Sequence, residues 1–63
     1  MIIEIPGNSL LIPFEINNIS GQVLIKGEVS NRTIVFTDKL IPGVYFLQLK
    51  GDGFIKTLKF VKE

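Results

Sequence analysis

Side chains that could carry chemistry are few in this 63-residue chain, and two kinds are missing altogether. Without histidine or cysteine the chain lacks the commonest general base, the commonest zinc ligands and the thiolate nucleophile. Ser9, Ser20 and Ser30 lie in turn-like stretches with no recognisable activating base, so local hydrogen bonding is their expected role. Glu4, Glu15 and Glu28 occupy outward positions of three separate β-type runs. Solvated strand charge is the expectation there, since an acid–base pair would have to arise from tertiary packing. Asp52 stands without the repeated oxygen donors of a calcium loop and reads as a turn residue. No catalytic residue, metal site or cofactor is expected, and the chain does not read as an enzyme.

Lysines are what remains. Lys56, Lys59 and Lys62 stand beside Phe54 and Phe60, but on a strand a spacing of three alternates faces. Lys56 and Lys62 therefore point one way and Lys59 the other, which leaves no continuous stripe for tracking phosphates, and nucleic acid is not an expected partner. The run Lys50 to Ile55 resembles the glycine and aromatic strand of cold-shock barrels, yet the companion His-bearing strand is absent. Asn18-Ile19-Ser20 and Asn31-Arg32-Thr33 fit the N-glycosylation pattern. Turn chemistry accounts for both.

Any strand bearing these residues must be held by a small core. The length allows one domain over residues 1–63, burying roughly 60% of the surface its unfolded form would expose. The 46% hydrophobic content argues for a folded chain, and a net charge of +1 implies no strong pull toward nucleic acid or anionic lipid. Disulfides cannot supplement the core, and Cys spacing says nothing of the redox compartment. No window approaches the roughly 18 uninterrupted apolar residues of a spanning helix, so no membrane insertion is expected. Met1-Ile2-Ile3-Glu4 lacks the basic start of a secretory signal. If the domain is exported, that address lies on other sequence.

The positioning elements read as six strands. Leu40 to Lys50 organises them: Pro42-Gly43 signals a turn, then Tyr45, Leu47 and Leu49 fall on one face and Val44, Phe46, Gln48 and Lys50 on the other. Gly43 is expected to take positive φ and the strand to begin at Val44. Ahead of it, Met1 to Ile5 is a short β-branched run ended by Pro6-Gly7-Asn8. Leu10, Ile12, Phe14 and Ile16 then share a face, and Pro13 predicts a sheet edge or a bulge. Asn17 to Gly21 reads as a turn, with Gly21 free to adopt positive φ. In Gln22 to Val29, Val23, Ile25 and Val29 are expected inward, and Gly27 predicts a bulge or a close backbone approach. Thr33 to Thr37 sets Ile34 and Phe36 against Thr33, Val35 and Thr37. Lys50-Gly51-Asp52-Gly53 signals a tight hairpin into a last strand from Phe54 to about Lys62. No segment carries helical spacing with caps. The fold class predicted is all-β, a small antiparallel sandwich or partly open barrel.

Three blocks, Phe14 to Val23, Leu40 to Leu49 and Lys56 to Val61, together resemble the C-terminal sorting domain of the type IX (Por) secretion system. The most specific is Leu40-Ile41-Pro42-Gly43-Val44-Tyr45, and the resemblance covers about Leu10 to Glu63. It implies an Ig-like β-sandwich of six to seven strands in which Gly21, Gly43, Val44 and Tyr45 are structural positions of the family motif. Ile5-Pro6-Gly7-Asn8 stands where the family has a Tyr-Pro-Asn-Pro-like turn, and Asn17 where it often has an aromatic residue. Both departures point to a shortened or divergent N-terminal edge. The family resides at the end of larger secreted proteins of Bacteroidetes type. The resemblance thus implies a cargo protein in the native chain, secretion machinery proteins as partners, and passage through the periplasm to the cell surface.

Lys56, Lys59 and Lys62 become candidate recognition residues on this reading. Equally, lysines can keep an exposed strand from pairing with its neighbours. The N-terminal edge strand expected around Pro13, with its shortened start, leaves open a strand-exchanged dimer. A structural or carbohydrate-binding accessory module is the alternative, requiring an exposed aromatic platform that residues committed to the core would not supply. A small nucleic-acid-binding barrel comes third, with salt-dependent retention on single-stranded DNA as its test.

Overall fold

Two-residue alternation of apolar side chains produces strands wherever turn residues interrupt it, and the computed structural model, which describes all residues from Met1 to Glu63, contains strands and no helix. The six strands are β1 (Ile2–Glu4), β2 (Ile12–Asn18), β3 (Val23–Val29), β4 (Arg32–Ile34), β5 (Gly43–Gly51) and β6 (Phe54–Lys62). They form two antiparallel sheets, a four-stranded one in the order β3-β2-β5-β6 and a two-stranded one of β1 and β4. The result is an all-β, sandwich-like fold, lopsided because two short strands face four.

The core lies between the sheets. Ile12, Phe14 and Ile16 from β2, Tyr45, Leu47 and Leu49 from β5, Val29 from β3, Ile3 from β1 and Val35 just beyond β4 are all buried. Register puts the two main rows side by side, with Phe14 opposite Leu49 and Ile16 opposite Leu47. Burial of each such side chain contributes about 1.5–3 kcal/mol. That this row alternates without exception in β5 explains why the strand stands in the sheet centre.

Turns are built from the expected residues. At Asn18 to Gln22 the Asn18 side-chain oxygen accepts from the amides of Ser20 and Gln22, both at 3.0 Å, while Gly21 takes φ of 84°. Asp52-Gly53 joins β5 to β6, closing on the Gly51–Phe54 pair, with Gly53 at φ 74°. At Gly27 the close-approach alternative holds. The Phe14 ring lies on that glycine, where a Cβ would come within 2.7 Å of Phe14 Cζ.

Several local expectations are corrected. The segment bearing Pro13 is not an edge strand, since β2 pairs with β3 on one side and β5 on the other. Pro13 is tolerated because the β5 ladder begins only at Phe14, so at Pro13 the strand has β3 alone as a neighbour. Leu10 lies before the strand and is exposed. The bulge falls between Ile16 and Asn17, whose partners are Ile25 and Val23, and the extra β3 residue leaves Val23 exposed. Val35 is buried whereas Ile34 and Phe36 face solvent. Finally, Gly43 is itself the first residue of β5, opposite Lys62, and the preceding turn is tied by the Leu40 amide donating to the Thr37 carbonyl at 3.0 Å.

Candidate recognition site

Tyr45 ties the middle of the fold to the segment before it. Its ring stacks on Phe60 with centroids 5.7 Å apart and planes at 26°, and its hydroxyl donates to the Ile41 carbonyl. A buried ring whose polar end reaches a main-chain oxygen loses little by desolvation. Gly43 and Val44 open the same strand, Gly43 opposite Lys62 and Val44 opposite Val61. Gly21 lies in the turn between β2 and β3, its amide donating to the carbonyl of Asn18, the residue opposite Tyr45. These four motif residues thus form no common pocket; they shape strand ends and turns.

Strand β6 carries the three lysines. Its inner row is Phe54, Lys56, Leu58, Phe60 and Lys62, set opposite Gly51, Leu49, Leu47, Tyr45 and Gly43. Lys59 belongs to the outer row, opposite Phe46. Lys62 is engaged, its ammonium donating to the Thr37 carbonyl and tethering the loop after β4. Lys56 and Lys59 belong to no ion pair. Strand β6 is paired only with β5, so its other edge is open over nine residues.

Charges on the outer face are held elsewhere. Glu15 accepts from Lys50 at 2.7 Å, and Lys26 stands at 4.0 Å on its other side. The Lys50 hydrogen bond holds the Glu15 carboxyl below its ordinary value of 4.5; desolvation opposes this, and the Lys50 and Lys26 charges add to it. This cluster lies on β2, β3 and β5. It pins neighbouring strands together and leaves β6 out.

A groove went unnoticed at the level of sequence. Between β1 and the inner row of β6 the two-stranded sheet fails to cover the larger one, leaving an open trough of about 670 Å³. Leu47 and Leu49 form its floor, Ile2, Ile3 and Pro6 one wall, and Phe54, Lys56, Leu58 and Phe60 the other. Leu58 remains 45% exposed although it belongs to the core-facing row. The inner row is readable from alternation in β6, but the missing cover is a fact of tertiary packing. Aromatic burial also differs from expectation. Only Phe14 and Tyr45 are buried, Phe60 packs against the core, and Phe36 is 79% exposed.

Comparison with known proteins gives one match. The family model described as the secretion system C-terminal sorting domain matches residues 1–63. No curated protein and no solved structure matches.

Proposed function

The chain belongs to the family of secretion system C-terminal sorting domains, the sorting signal of type IX secretion, and from that premise we propose that it directs an attached cargo protein to the cell surface by being bound. The observation that carries this reading is the family match over residues 1–63. In support, the charges left uncommitted on β6 are Lys56 and Lys59, on opposite faces of a strand whose edge is open. An open strand edge offers main-chain hydrogen bonds for affinity, and flanking side chains supply selectivity. Lys62 serves as a positioning residue for the loop after β4. Gly21, Gly43, Val44 and Tyr45 act by keeping the sandwich in shape. The domain works as an address read by secretion machinery, with no reaction of its own.

A reporter carrying a Sec signal, fused ahead of this domain and expressed in a host with type IX machinery, tests the proposal. Surface-exposed reporter, accessible to added protease on intact cells, is the expected result. Retention of folded reporter in the periplasm overturns it.

A further inference from the structure

We propose that the trough between β1 and β6 is a docking site for an extended segment of a partner protein, one with alternating apolar side chains and a carboxylate placed to meet Lys56. The inference deepens the sorting reading by naming the surface and the chemistry of what binds there.

Three observations converge on this occupant. First, the trough has the form of a missing strand. The outer edge of β1 is unpaired, since that sheet contains only β1 and β4, and the uncovered row of β6 lies beyond it. A strand added to β1 would extend the small sheet across that row and satisfy main-chain groups of both partners. Second, the lining is apolar where such a strand would face inward: Leu47 and Leu49 form the floor, and Phe54 and Leu58 stay about half exposed. Covering them removes apolar surface from water at about 25 cal/mol per Å².

The third observation fixes the charge. Lys56 lies in the core-facing row between Phe54 and Leu58, opposite Leu49, and no carboxylate is within 4.0 Å of it. Lys59 adds positive charge along the same strand. The acidic residue of the lining, Glu4, is on β1, where Ile3 takes the core-facing position and Glu4 alternates away from it. A strand with only apolar inward residues would bury the Lys56 ammonium unpaired, which is costly. One bearing a carboxylate at that place meets it with a charge-assisted hydrogen bond. The register therefore selects an acidic over a basic or neutral segment.

The probe is an acetylated and amidated peptide of about six residues, alternating valine and threonine, with glutamate in place of one valine. Matching peptides carry lysine or valine there. Titrated into the ¹⁵N-labelled chain, the glutamate peptide is expected to shift amides of Ile2–Ile5 and Phe54–Leu58 and to bind about tenfold more tightly than the lysine peptide. In Lys56→Glu, an exposed substitution that leaves the core intact, the preference reverses. Equal binding of acidic and basic peptides, shifts confined to other surfaces, or self-association of the chain in place of peptide binding would each overturn the proposal. Export of the Lys56→Glu reporter at the parental level, with binding of the glutamate peptide lost, overturns the trough as the site read during secretion. Failure of the parental reporter to reach the surface while peptide binding persists instead overturns the sorting reading and leaves the docking site standing.

Discussion

The Tyr45 hydroxyl donates to the Ile41 carbonyl oxygen at 2.5 Å, across four positions of sequence. A residue at the centre of the core thereby fixes the chain just before its own strand. Tyr45→Phe keeps the ring and its stacking on Phe60 but leaves that carbonyl without its donor. We expect a loss of about 1 kcal/mol in urea unfolding, with faster amide exchange between residues 37 and 42. Unchanged stability and exchange would show that the hydroxyl contributes nothing.

Gly27 makes room for the Phe14 ring, and the space is already full. Gly27→Ala should destabilise by about 1–3 kcal/mol through displacement of that ring. Combining it with Phe14→Leu should cost less than the two single changes added together, because the shorter side chain vacates the contested volume. Strict additivity would refute the steric account.

Lys62 donates to the Thr37 carbonyl from the far end of β6. Lys62→Ala is expected to cost about 1 kcal/mol and to loosen residues 35–40 in hydrogen exchange. By contrast, Lys59→Glu should leave unfolding within about 0.5 kcal/mol of the parent while lowering surface delivery of the reporter. Parental delivery by Lys59→Glu would remove Lys59 from recognition.

Glu15 gives stability a pH dependence. Its folded carboxyl titrates below the ordinary value because Lys50 donates to it, so the unfolded chain binds its proton at higher pH than the folded chain does. The contribution is fully present above the unfolded value and disappears as pH falls through the folded one. Comparing the parent with Glu15→Gln in urea titrations, we expect the stability difference at neutral pH to close as acid is added through and below pH 4.5. A difference independent of pH would exclude this origin.

How much was legible differed by strand. In β5 one face is wholly apolar, so the alternation of Tyr45, Leu47 and Leu49 announced both strand and core. Around Ile34, Val35 and Phe36 both faces carry large apolar groups, and nothing local says that Val35 turns inward. Pro13 misled for a different reason. Its missing donor excludes it from being paired on both sides, but it faces Glu28 of β3 alone, because the ladder to β5 starts one residue later. Lys56 and Lys62 could be assigned to one face from spacing alone. That one ends in an open trough and the other on the Thr37 carbonyl depends on segments distant in sequence.

The seam between β2 and β5 joins Phe14 to Leu49 and Asn18 to Tyr45, so the two hairpins meet only after the intervening segment, which includes β4, has been made. Closing it must await the hairpin of β5 and β6, which supplies Tyr45, Leu47 and Leu49 to the interior. During synthesis from the N-terminus, residues 1–42 emerge before Tyr45, Leu47 and Leu49, three of the nine core residues, are available to pack against. A tag built this way ripens late: a nascent chain broken off before Phe54 would lack the whole strand that carries Lys56 and Lys59, and a transporter that inspects the finished sandwich would thereby pass over unfinished goods.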